Sequence, residues 1–299
     1  METPSEEPVL KSRSARHCIS TGYRLYIGHF RRIFRATWPA ALVASLLSGL
    51  IGTWHANLQM QSQPGLTTAM AVVALLAVLV SVTFYAQAMT LLCHHREQGV
   101  VPRVARMFTI DGAVLRRTFI CALTCGIIIW VVIISLATSV SVYAMINQSK
   151  VWLAAAVLLP LALLLLLLPL SYPAVRYLTT RQTNLFALFK TDFGKGFSHY
   201  GLLFCVWLIT TIFSAMAIAV ACLPAIILMV ANATAVAGNL AGDPIGMPAH
   251  MPNLVGCVFT LASFFQHYIM LSAFFPFYYT SGSIEAQEQE RNEKKNSIY

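Results

Sequence analysis

Residues 196–242 read GFSHYGLLFCVWLITTIFSAMAIAVACLPAIILMVANATAVAGNLAG, without a single Asp, Glu, Lys or Arg. A helix rises 1.5 Å per residue, so about 20 apolar residues cross the hydrocarbon core of a bilayer. This stretch is long enough for one crossing. Four others share its character: Ala36–His95, Thr118–Ser149, Val151–Val175 and Pro244–Ile284. The charges fall between these stretches, in clusters. That segregation predicts a multi-span, all-α membrane protein.

Composition agrees. The 299 residues are 58% hydrophobic and 10% charged, against about 45–50% and 25% in soluble domains. A soluble fold could not hide that much apolar surface, whereas lipid tolerates it once each helix satisfies its own backbone. The net charge of +9 would suggest nucleic acid in a soluble chain. Here the basic residues flank apolar stretches, so anionic lipid headgroups are the expected partner and nucleic acid is not. The long charged leader lacks a small-x-small site after the first apolar run, which argues against a cleavable signal. Seven scattered cysteines, an odd number mostly inside apolar stretches, argue against a disulfide framework.

The run Ala36–His95 is too long for one crossing and turns back at the polar segment 56–65. The expected spans are about 37–55, 68–93, 118–146, 152–177, 201–230 and 255–279, forming three hairpins. Residues 1–15 are expected as a disordered leader, 16–280 as the membrane domain and 281–299 as a charged tail. Residues 232–253, rich in Gly, Ala and Pro, are expected as the loop before span six. On this layout every basic residue except Lys150 lies on one side. Basic residues stay cytoplasmic, which puts both termini inside a bacterial cytoplasmic membrane.

The approaches to the odd-numbered spans look alike. Phe34-Arg35-Ala36-Thr37, Leu115-Arg116-Arg117-Thr118 and Phe197-Ser198-His199-Tyr200 are offset by 81 and 82 residues. Each follows a segment with helical apolar spacing and basic residues. In the first, Ile19, Tyr23, Ile27, Phe30 and Phe34 alternate with Arg24, Arg31, Arg32 and Arg35. In the second, Val104, Phe108 and Leu115 accompany Arg103, Arg106, Arg116 and Arg117. In the third, Leu185, Phe189, Phe193 and Phe197 flank Lys190 and Lys195. Such basic amphipathic helices lie among the headgroups, and these cations are the expected lipid-headgroup contacts. The unit is one interfacial helix plus one hairpin, repeated three times. Chance spacing of three short hairpins gives the same pattern.

No Asp or Glu falls within an expected span, which removes the carboxylates that ion-coupled transport commonly uses. Gln266-His267 is the most polar point at bilayer depth. It reads either as a substrate contact or proton relay, or as an interhelical hydrogen bond holding the bundle together. Cys93-His94-His95 offers metal-ligand types, but adjacent helical side chains diverge and no second cluster completes a tetrahedral site. Cys121 and Cys125, one turn apart, read as packing. Pro160, Pro169, Pro173, Pro224 and Pro276 can kink or end helices and shape a cavity, or be ordinary membrane-helix prolines. Asn147-Gln148-Ser149 and Asn232-Ala233-Thr234 match the glycosylation triplet, which carries no meaning in a bacterial chain. No phosphate-binding loop, zinc-helix motif or nucleophile elbow is present. No catalytic residue, cofactor or metal is expected.

The segments Phe30-Arg31-Arg32-Ile33-Phe34, Phe193-Gly194-Lys195-Gly196-Phe197 and Phe277-Tyr278-Tyr279-Thr280-Ser281-Gly282-Ser283-Ile284-Glu285 carry a resemblance. The chain resembles uncharacterised bacterial six-span membrane proteins similar to the membrane domain fused to some glycerophosphodiester phosphodiesterases. The resemblance implies an inner-membrane protein of accessory role. It does not imply the phosphodiesterase activity, whose catalytic domain has no counterpart here. The threefold layout also resembles mitochondrial carriers, but their Pro-x-Asp/Glu-x-x-Lys/Arg signature is missing.

Two functional readings follow. One is a non-enzymatic scaffold or accessory in envelope or lipid homeostasis. The other is a transporter or channel for a lipid or small apolar solute, which requires a cavity between hairpins reaching Gln266 and His267.

Overall fold

The apolar stretches contain good helix formers and few breakers, and a chain in lipid must close its backbone hydrogen bonds within each segment. The computed structural model describes residues 8–57, 63–99, 101, 111–145, 158, 162, 165–180, 184–240, 248 and 250–297. Among these there is no strand. The helices are α1 (Ala15–His55), α2 (Pro64–Gln98), α3 (Gly112–Met145), α4 (Ser171–Thr179), α5 (Leu185–Ser198), α6 (Tyr200–Leu240) and α7 (Met251–Asn296), with a 3-10 turn at Leu168–Leu170 before α4.

Four helices are long and apolar enough to cross a membrane: α1, α2, α6 over Tyr200–Ala235, and α7. They coincide with expected spans one, two, five and six. Span three falls on α3, and the second half of span four falls on the 3-10 turn and α4, while much of its first half lies outside the described residues. Only 11% of the α6 apolar window is buried, and Ile212, Phe213, Met216, Val220 and Ile227 all point outward. Apolar surface on that scale needs lipid around it. The chain is an all-helical membrane protein.

Three boundaries differ from the sequence reading. The leader segment and span one form a single 41-residue helix, about 62 Å long, so no separate interfacial helix precedes span one. The chain does not break at Phe34–Thr37, although Pro39 leaves the Arg35 carbonyl without its helical N–H, because α7 also runs on past its span. The two helices pack along this shared extension. Residues 8–14, expected to be disordered, are instead docked. Val9 is buried, its carbonyl lies against Gly282, and the Arg13 N–H donates to Ser283 Oγ at 2.8 Å. Finally, α6 continues to Leu240 and α7 begins at Met251, so the expected 232–253 loop is much shorter. At the second position 102–110 lie outside the described residues. At the third, α5 is a separate helix as expected, capped by Asn184, whose Oδ1 accepts from the Ala187 N–H. It is split from α6 only at His199.

The antiparallel pair α1 and α7 is the spine. Its close approach rests on small residues, as membrane helix pairs do. Gly49 faces Thr260 and Gly256 faces Thr53, reciprocally, and Gly22 lies against the backbone at Pro276. Further along, Tyr26, Phe30, Phe34, Phe264, Tyr268 and Phe275 interlock with ring centroids 5.1–6.4 Å apart. Tyr26 Oη donates to the Tyr268 carbonyl at 3.1 Å. Helix α2 packs against α1, α6 against α7, and α3 against α2, while α4 and α5 gather beneath them at the end where residues 8–14 and 282–285 meet. Pro169 interrupts regular helix at Leu168–Leu170, and its carbonyl meets Gly196 of α5 so closely that a Cβ there would sit 2.5 Å from the oxygen.

Candidate functional site

The basic residues flanking the apolar helices converge at one end of the bundle, and there the structure assembles an ionic hub. Arg96, in the last turn of α2, donates to Glu285 Oε2 on α7. Arg176 on α4 donates to Asp192 Oδ2 on α5, and its Nε stands 3.2 Å from Glu285 Oε1. Lys195 Nζ donates to Asp192 Oδ1 at 2.8 Å. Asp192 is fully buried. A carboxylate taken out of water persists only with paired charge and complete hydrogen bonding, and two cations on different turns supply that. Two carboxylates against three cations leave the hub one positive charge in excess. Together they bind α2, α4, α5 and α7 into one unit.

Neutral bonds extend the hub. Arg96 also donates to Thr179 Oγ1 at 3.3 Å, and Arg117 donates to the Thr180 carbonyl. Cys93 Sγ donates to the Leu178 carbonyl at 3.2 Å, and His95 Nδ1 lies 3.0 Å from Tyr278 Oη. Arg13 caps the assembly. It donates to the carbonyls of Val9 and Lys11 at 3.0 and 3.1 Å and lies 5.1 Å above the Tyr279 ring.

The expected headgroup contacts divide. Arg24, Arg31, Arg35, Arg116 and Lys190 are exposed. Arg103 and Arg106 lie outside the described residues. Three are engaged by the protein itself, and of these Arg117 is corrected. Arg117 is buried and engaged with Thr180, so no headgroup reaches it. Arg32 donates to the Val101 carbonyl at 3.0 Å, and Lys195 belongs to the hub. Near Lys190, α5 turns Phe186, Phe193 and Phe197 outward. Residues 186, 190, 193 and 197 make one helical stripe. The opposite face, with Leu185, Leu188 and Asp192, is buried.

Gln266 and His267 part company. His267 Nδ1 donates to the Ser263 carbonyl at 2.7 Å, since a carbonyl can only accept, and Nε2 pairs with Ser81 Oγ of α2 at 3.0 Å. The ring packs edge-on against Phe84 at 5.3 Å. That is the interhelical hydrogen bond. Gln266 points elsewhere, into a cavity of about 520 Å³ among α1, α6 and α7, whose wall includes Ser48, His55, Cys222, Met229, Phe259 and Ser263. The cavity therefore reaches one of the two expected residues.

The remaining candidates do not combine. Cys93, His94 and His95 bond to three different partners, and among the described residues no cluster of three His, Cys, Asp or Glu could hold a metal. The hub's acids, Asp192 and Glu285, escape a search confined to the spans because both lie outside them. Their sequence signal is slight: Asp192 is the one acid between Lys190 and Lys195, and Glu285 is the first of four glutamates after span six. No family model, curated protein or solved structure matches this chain, so its function rests on this geometry.

Proposed function

We propose that this chain is a non-enzymatic integral protein of a bacterial cytoplasmic membrane, acting as a scaffold or accessory in envelope or lipid homeostasis. One observation carries the reading. At the basic end the buried acids Asp192 and Glu285 are paired within the hub, while Arg24, Arg31, Arg35, Arg116 and Lys190 stay exposed, Lys190 beside the outward Phe stripe of α5. A cationic rim with adjacent aromatics suits an anionic headgroup layer. Replacing Arg31, Arg35 and Lys190 with Gln should lower the phosphatidylglycerol and cardiolipin that co-purify in mild detergent. Unchanged lipid content sinks the reading.

The six-span layout, the threefold repeat, the cytoplasmic termini and the likeness to the phosphodiesterase-associated membrane domain belong to the same proposal. They draw support from the gathering of basic residues at one end and from α5 as a free-standing helix before α6. A periplasm-active reporter fused after Asn253 should be active and one after Arg106 silent; the reverse overturns the orientation. A second reading, a carrier for a lipid or small apolar solute, is favoured by the cavity that reaches Gln266.

A further inference from the structure

The Gln266 amide sits near the middle of the expected 255–279 span, exposed on the wall of the α1, α6, α7 cavity. It has no hydrogen-bond partner among the described residues. An amide at that depth without a partner is costly, because hydrocarbon supplies none. Of the neighbouring polar groups, the Ser48 hydroxyl donates to the Ala44 carbonyl at 3.0 Å and the Ser263 carbonyl accepts from His267, while Ser263 itself also lines the cavity. Elsewhere the wall is largely apolar, including Ile226, Met229 and Phe259, and holds no Lys or Arg. At one end Asn232 Nδ2 donates to the Ala56 carbonyl at 3.2 Å and ties α6 to α1. Along α7, from Phe259 to Gln266, the cavity extends about 10 Å. Its volume suits a small ligand rather than a stray water.

We propose that this cavity binds a single-chain apolar molecule bearing a neutral hydroxyl or carbonyl, which pairs with the Gln266 amide while its chain lies along Ile226, Met229 and Phe259. Charge selects the class. A carboxylate or phosphate at Gln266 would be desolvated without a cation beside it, because the one basic side chain of the lining, His55, lies toward the Phe259 end. A plain alkane would leave the amide unpaired. The site deepens the carrier reading and rests on it only for the role of the cavity, because binding needs no transport.

The test uses the full chain in lipid nanodiscs and a diazirine-bearing hexadecanol as photoprobe. Labelled peptides should fall on 222–230 and 259–266. Unlabelled hexadecanol should compete about tenfold better than hexadecane, as one hydrogen bond predicts, and better than hexadecanoate. Gln266→Leu should erase the advantage over hexadecane, and Cys222→Phe should abolish labelling by filling the space. Both variants are to be compared at thermal midpoints close to that of the unmodified chain; Ser263→Leu replaces either one that unfolds early. Labelling elsewhere, an undiminished preference in Gln266→Leu, or stronger competition by hexadecanoate overturns the proposal. A dimer that Gln266→Leu dissociates also overturns it, because the amide then pairs with a second copy. Flux of hexadecanol in proteoliposomes decides the carrier reading separately: intact labelling without flux overturns that reading alone.

Discussion

Glu285→Gln should be among the most damaging single changes outside the spans. Glu285 holds Arg96 through one carboxylate oxygen and faces Arg176 with the other, at side-chain exposures of 11% for Glu285, 12% for Arg96 and 21% for Arg176. Two unit charges about 3 Å apart in an effective dielectric of about 20 interact by roughly 5 kcal/mol. Much of that is offset by the desolvation already incurred, and breaking a buried pair costs about 3–5 kcal/mol. These groups are not wholly buried, and Arg96 keeps Thr179 while Arg176 keeps Asp192. The expected loss is therefore about 2–4 kcal/mol. At roughly 2 °C per kcal/mol for a chain of this size, the thermal midpoint in detergent should fall by about 4–8 °C. The assay is loss of the monodisperse peak on size exclusion after heating. A double-mutant cycle with Arg96→Gln should return a coupling of at least about 1 kcal/mol. Glu285→Gln within about 0.5 kcal/mol of the unmodified chain, or a cycle that closes to zero, would refute the hub as the tie between α2, α4 and α7.

Other outcomes follow from the same geometry. Gly49→Ala puts a Cβ 1.9 Å from Thr260 Oγ1, and Gly256→Ala does the same to Thr53; each should cost about 1–3 kcal/mol by prising α1 from α7. Thr260→Ala should rescue Gly49→Ala only in part, because the Gly256 carbonyl also stands 2.7 Å away, while Gly28→Ala, with no atom within 4 Å, should be neutral or slightly stabilising in the same melt. Ser81→Ala should lose only about 0.6–1.7 kcal/mol, the range of a membrane interhelical hydrogen bond, and leave lipid binding unchanged; a larger effect on binding than on stability would return His267 to the functional site. Gly99→Ala, at φ 69° in the αL position that closes α2, should cost about 1 kcal/mol by the same unfolding measurement.

Helical class and membrane embedding were legible because both rest on hydropathy, which one chain carries by itself. The ends of helices were less so. Residues 15–35 look like a surface helix, since Arg24, Arg31 and Arg35 alternate with Ile27 and Phe34. Nothing local reports that α7 also continues past its span and gives the inner face of α1 something to pack on. For α5 the spacing of Leu185, Phe189, Phe193 and Phe197 marked a helix correctly but blurred its faces. Leu185 is buried against α4 while Phe193 and Phe197 point outward, because a helix wedged between bundle and lipid is apolar on two sides. Gln266 and His267 are sequence neighbours, and only the third dimension sends one to Ser81 and the other to the cavity.

The placement of the acids ties these points together. The chain keeps Asp and Glu out of its spans, where each would need a partner in hydrocarbon, and pairs Asp192 and Glu285 with arginines and a lysine at the basic end. This has two consequences there. It locks α5 to α2, α4 and α7, and it takes two negative charges away from an anionic headgroup layer. Were Arg96, Arg176 and Lys195 simply further headgroup contacts, Asp192 and Glu285 would be left as buried acids without partners. Because the hub absorbs those three cations, the exposed arginines outside it are the ones a lipid surface can reach.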